Sequence, residues 1–143
     1  MMNHRELIKL GEGKSLKLYK CTGDKWTIGF GWNIEDNGIP EEIAEQLLDV
    51  GIERAEKDLF HIFGWIFISD LKENQYGRYC ALLDMAYNLG FGRFKGFKKM
   101  ITAVKAHDWE EAAEQAKDSR WYNQVRDRSE RDVHLLRTGR FPA

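Results

Sequence analysis

Three residues stand at a spacing that can do chemistry: Glu12, Cys21 nine positions on, and Thr27 six further. A carboxyl group can protonate the leaving oxygen of a glycosidic bond. A second group across that bond can activate water or stabilise a developing oxocarbenium ion, and a hydroxyl can hold the water. Cys21 fills the second role only as a thiolate. A free cysteine with a pKa near about 8.5 is mostly protonated at neutral pH unless a neighbouring cation lowers it, and Lys20 and Lys25 are the nearby candidate cations. Whether a thiolate here would activate water or attack carbon itself stays open on the residues alone.

The elements that must position this set can be read from periodicity. Leu7, Ile8 and Leu10 among charged neighbours suit a short helix over 3–11, loosened by Gly11 and Gly13, which puts Glu12 at a helix-to-loop junction. Residues 15–21 alternate apolar and polar, residues 22–25 carry turn chemistry, and residues 26–32 alternate again, so a β-hairpin is expected. Period-two counting puts Tyr19 and Cys21 on one face and Thr27, Gly29 and Gly31 on one face, with Cys21 opposite Thr27 if the loop closes symmetrically. From Pro40 to Phe63 the apolar residues fall at helical spacing, predicting a helix of about six turns. A second long helix is expected to open with Asp70 as cap and Glu73 three residues on, and to run to Gly90. Shorter helices are expected around 94–106, 109–117, 120–124 and 127–137. Together these predict an α+β fold: a small hairpin lobe (about 12–40), a connecting helix (about 41–63), and an all-helical lobe (about 64–143) that also takes in the amino-terminal helix 3–11. A cleft between two lobes is the natural place for a ligand.

At 143 residues, with 43% hydrophobic and 13% aromatic residues, one domain with a buried core needs neither disulfides nor a structural metal. The 22 bases and 23 acids nearly balance, so the chain is not built to coat nucleic acid or membrane. Nine acids against two bases over 35–58 read as a solvated helix face. No apolar run approaches the roughly 20 residues needed to span a bilayer, and the amino terminus has no apolar signal region, so a start in the cytoplasm is expected. The four histidines are scattered and the two cysteines have no metal-ligand spacing; no metal or cofactor is expected.

The sequence resembles the phage lysozymes of the T-even type, glycoside hydrolase family 24. The resemblance rests on Gly11-Glu12-Gly13, on the Glu, eight residues, Cys, five residues, Thr spacing, and on Trp26-Thr27-Ile28-Gly29-Phe30-Gly31, similar to the family's W-T-I-G-Y-G. It continues through Asp84 to Gly90 and through Asp118 to Gln124, then Arg128, Arg131 and Arg137-Thr138-Gly139. It implies a lysozyme-like two-lobe fold and cleavage of the β-1,4 bond after N-acetylmuramic acid in bacterial peptidoglycan. By it Glu12 is the general acid, residue 21 handles water or the cationic intermediate, Thr27 positions water, and Arg128 holds the catalytic glutamate. No cofactor is implied. A monomeric endolysin, held in the host cytoplasm before lysis and then acting on the wall, is the expected setting. The alternative is a catalytically degenerate module that binds peptidoglycan or a protein partner.

Two departures stand out. Cys21 replaces the Asp of the best-known members, as in a Cys-bearing branch of the family. Trp32 replaces a common His, and Gly51 stands where an acid can partner that His, so an indole packed over Gly51 is one expectation. Asn88 is either a capping amide or a donor to a sugar N-acetyl group. Cys80 reads as a core filler. The segment Arg93–Lys105 has five bases and no acid, which suits adhesion to an anionic wall.

Overall fold

The computed structural model describes residues 1–142. It has the expected α+β fold, with helices throughout and one small antiparallel sheet. The chain divides into two compact units, one ending at Leu47 and the other beginning at Leu48.

In the first unit, α1 (His4–Glu12) is closed at its start by a reciprocal capping box, Asn3 with Glu6, and at its end by Gly13 at φ 71°, whose N–H donates to the Lys9 carbonyl. Strands β1 (Ser15–Lys20) and β2 (Trp26–Gly29) form the expected hairpin. The second strand does not run on to Trp32. Gly29 and Gly31 both have positive φ (69° and 73°), which turns the chain back so that β3 (Trp32–Asn33) pairs with β2, Ile28 opposite Trp32. The hairpin register also differs from the symmetric expectation: Tyr19, not Cys21, faces Thr27, because the loop is closed by the Cys21 N–H donating to the Lys25 carbonyl. Asn33 caps α2 (Ile34–Asn37), and Lys25 reaches Glu35 at 3.4 Å and Asp36 at 3.2 Å, tying the hairpin loop to that helix.

Helix α3 (Glu41–Phe63) matches its expected span and carries the chain from the first unit into the second. The helix expected to open at Asp70 is instead two helices. α4 (Trp65–Asn74) begins after Gly64, whose φ of 84° ends α3, and Asp70 lies inside it, accepting from Asn74. α5 (Tyr76–Leu89) follows a break at Gln75 (φ −139°, ψ 57°). Likewise the stretch expected as one helix over 94–106 is α6 (Phe91–Lys95) and α7 (Lys98–Lys105), interrupted at Gly96. α8 (Trp109–Lys117), α9 (Arg120–Gln124) and α10 (Arg126–Thr138) agree with expectation to within a residue.

The core of the second unit centres on α5, nearly encircled by apolar contacts. Leu59, Ile68, Leu82, Met85, Phe94, Met100, Val104 and Leu136 are buried to within 1% exposure. Burying each contributes roughly 1.5–3 kcal/mol relative to leaving it exposed. α5 and α10 approach at Gly77, where a Cβ would stand 2.1 Å from the Gly139 carbonyl oxygen. Arg78 then donates to the Leu136 and Arg137 carbonyls, both at 2.9 Å, satisfying the last turn of α10. The space over Gly51 is filled by Tyr87, whose Cε2 would lie 2.4 Å from a Cβ there, and the Trp32 indole N–H donates to the Gly38 carbonyl at 2.8 Å. The expected Trp32-over-Gly51 packing is therefore replaced by Tyr87.

Candidate active site

Glu12, Cys21 and Thr27 all belong to the first unit. Glu12 ends α1 and is solvent-exposed, and its carboxyl group lies on the bare face of Gly31. A Cβ at Gly31 would be 2.2 Å from Glu12 Oε2 and 2.6 Å from its carboxyl carbon. The turn after β2 is thus a platform for the acid. Sequence reading put Gly31 near Thr27 but missed this task; the signal was a pair of glycines flanking Phe30, more than a hairpin end requires.

Thr27 is 2% exposed, and its hydroxyl donates to the Lys25 carbonyl at 2.8 Å. Cys21 is the diagonal neighbour of Thr27, one step past the Tyr19–Thr27 pair, and diagonal side chains on one face remain in reach. The Cys21 thiol is held below its ordinary value first by the Lys25 backbone, then by the Thr27 hydroxyl and the Gly23 backbone, with slight burial opposing them. Hydrogen bonds, not cations, supply the shift. The ammonium groups expected to do so are engaged elsewhere: Lys25 by Glu35 and Asp36, Lys20 by Asp24 and Glu35 at 3.9 Å. The single Thr27 hydroxyl proton can serve either the Lys25 carbonyl or a sulfur anion, so it can turn to Cys21 as charge forms there.

This arrangement fixes a prediction. Gly31→Ala should cut activity at least tenfold, because the methyl group displaces the Glu12 carboxyl and positive φ adds about 1–2 kcal/mol of backbone cost. Gly38→Ala is the control: its φ is 58° with no atom within 4 Å of a Cβ, so it carries the backbone cost without touching Glu12. Clearing rates of permeabilised cells, set against melting temperatures of both variants, check this.

The second unit holds the other expected residues. Arg128 donates from Nε (2.8 Å) and Nη2 (2.7 Å) to the two oxygens of Asp84, a bidentate pair that sequence reading did not foresee. Asn88 Oδ1 accepts from the Trp121 indole N–H at 2.8 Å, so it caps no helix, and its NH2 group remains as a donor. Cys80 is half-buried in α5, and burial pushes its thiol up; both cysteines are free. Three cations of the basic region, Arg93, Lys98 and Lys99, together with Arg120 of α9, line a cavity of about 870 Å³ with Phe97 and Trp121. None of the four pairs with an acid among the described residues. No cluster of three metal-ligating side chains occurs among the described residues, and no helix there is long and apolar enough to cross a membrane.

Comparison with known proteins places this geometry in context. A family profile described as phage lysozyme matches residues 9–134. A probable T4-type lysozyme 2 of Dictyostelium discoideum is 26% identical over 159 residues, covering 94% of this chain and 94% of that protein. A probable T4-type lysozyme 1 of the same organism is 28% identical, covering 97% and 96%. The pre-baseplate central spike protein Gp5 of Enterobacteria phage T4 is 28% identical over 96% of this chain, which spans only 28% of that protein's length.

Proposed function

The chain belongs to the phage lysozyme family, and on that premise we propose that it hydrolyses the β-1,4 bond between N-acetylmuramic acid and N-acetylglucosamine in bacterial peptidoglycan, with Glu12 as general acid. The observation that carries the reading is the Glu12 carboxyl seated on Gly31, in the same unit as a Cys21 thiol whose surroundings favour the anion. Glu12 protonates the leaving oxygen. The Cys21 thiolate does the work a carboxylate does in other members, either drawing a proton from water or attacking the anomeric carbon. Thr27 holds the water or, in its other orientation, steadies the thiolate.

Arg128 orients the acid, and the free NH2 of Asn88 donates to a sugar N-acetyl group. The chemistry uses no cofactor. The unpaired cations of the basic region contact the anionic wall, so attachment weakens with salt. The protein works as a monomeric endolysin that gathers in the host cytoplasm and reaches the wall when the membrane is breached.

Digestion of purified peptidoglycan tests this, with soluble products weighed by mass spectrometry and their anomers resolved at first appearance. Hydrolysis leaves reducing ends one water heavier than the anhydro sugars of a transglycosylase, and anhydro products would overturn the reading. Inversion assigns water activation to Cys21; retention assigns attack on carbon. Wall that pellets the protein at low salt, releases it at moderate salt and yields no products would point to a binding module instead.

A further inference from the structure

Asp132, in α10, is 2% exposed, and its Oδ2 has no hydrogen-bond partner among the described residues. Its side chain lines the same cavity as Asp84 of α5 and Arg128, with the two carboxyl groups placed to share a hydrogen bond. Two carboxylates cannot bond to one another; one of them must carry a proton. Burial works against ionisation at Asp84, yet the bonds from Arg128, followed by that from Asp132, hold it below the usual carboxylate range. Asp132 is pushed well above that range, first by burial and then by Asp84 itself. The proton therefore resides on Asp132, and the orphaned Oδ2 is the carbonyl oxygen of a neutral acid, a far cheaper orphan than half of a buried carboxylate.

Among the described residues around Asp132, α5 contributes Asp84 and Cys80, and α10 contributes Arg128 and Arg131. Leu135, Phe141 and Pro142 complete the lining of a cavity of about 540 Å³. On α8, which also packs against α10, Glu110 and Glu114 are engaged with Arg137. Among the described residues, Arg128 and Arg131 are the cations placed to offset a second negative charge beside Asp84, and Arg128 is already bound by Asp84 through Nε and Nη2.

We propose that Asp132 is a positioning residue acting through Asp84 on Arg128: its carboxyl proton fixes Asp84 in the orientation that grips the guanidinium. The inference rests on the proposed reading in which Arg128 serves the catalytic acid, and it adds the pair of carboxyl groups that holds Arg128 in place. Ionisation of Asp132 would set two carboxylates against each other and free Asp84 to turn.

The test compares wild type with Asp132→Asn, which keeps a donor toward Asp84 and cannot titrate, and Asp132→Leu, which fills the space with no donor. The Arg128 Nε–H resonance should exchange slowly in wild type and in Asp132→Asn, and exchange at least tenfold faster in Asp132→Leu. Melting temperature supplies a second readout. An unfolded Asp loses its proton near about pH 4 while the folded Asp132 keeps it, so wild-type stability must fall as pH rises from there until the folded group also ionises. The melting temperature of wild type relative to Asp132→Asn should therefore drop by several degrees between pH 5 and pH 8. In clearing assays at neutral pH, Asp132→Leu should lose about tenfold in kcat with KM little changed, and Asp132→Asn should stay within about twofold of wild type. A pH-independent difference in melting temperature, or equal Nε–H exchange in all three proteins, would overturn the proposal. If Arg128→Ala clears cells normally, the Arg128 reading fails instead, and the exchange and melting readouts still decide the role of Asp132.

Discussion

Glu12→Gln is expected to abolish clearing of outer-membrane-permeabilised cells, with a loss of at least about a hundredfold, since general-acid catalysis typically contributes 10²–10⁴. Glutamine keeps the shape of the side chain against Gly31 and can still donate a hydrogen bond, but it cannot deliver a proton to the leaving oxygen. Glu12 is exposed and contributes nothing to the buried core, so the melting temperature should stay within a degree or two of wild type. A folded Glu12→Gln protein that clears cells at the wild-type rate would remove the acid from the mechanism.

The second large effect concerns Cys21, where three substitutions separate the roles of charge and hydrogen bonding. Cys21→Ser keeps a hydroxyl among the Lys25, Thr27 and Gly23 donors but cannot ionise near neutral pH, and a fall of at least about a hundredfold is expected. Cys21→Asp restores a permanent negative charge and should retain most activity. Cys80→Ala should behave as wild type and should remain sensitive to iodoacetamide, because the reactive thiol is the one whose neighbours favour the anion.

The pH profile follows from the sign of the shift. Activity that needs the thiolate should rise with pH through the Cys21 pKa, which lies below the ordinary thiol value because the backbone at Lys25, the Thr27 hydroxyl and the backbone at Gly23 bond the anion. In Cys21→Asp that acid limb should move by several pH units toward acid, into the carboxylate range. An acid limb at the same pH in wild type and Cys21→Asp would show that some other group sets it. Full activity in Cys21→Ser would show that residue 21 need not carry charge at all.

Glu12 at a helix end, the hairpin, the span of α3 and the extents of α8, α9 and α10 were legible because they depend on local periods and caps. The breaks at Gln75 and Gly96 were not. Apolar residues continue across both, and periodicity cannot distinguish one buried helix from two that meet within the same core. Asp132 carried a signal that local reading passed over. Ser129, Asp132, Val133, Leu135 and Leu136 form the buried stripe of α10, and an acid at such a position requires a partner.

Residue type and order by themselves determined the family, the α+β class and the chemical capacities present: an acid, a thiol and a hydroxyl at fixed separations. They determined too that Cys21 would need help to ionise. What only the tertiary structure decided is who gives that help and who holds whom. Two positive-φ glycines turn the chain so that Gly31 meets Glu12, a register that pairs Tyr19 with Thr27 leaves Cys21 on the diagonal among hydrogen-bond donors, and Arg128 is claimed by an Asp 44 residues away. Sequence neighbours suggested cations beside the thiol. The fold spends Lys20 and Lys25 on fastening the hairpin loop to α2, because an exposed ammonium goes to the carboxylates that the backbone brings within reach, and sequence separation does not record that distance.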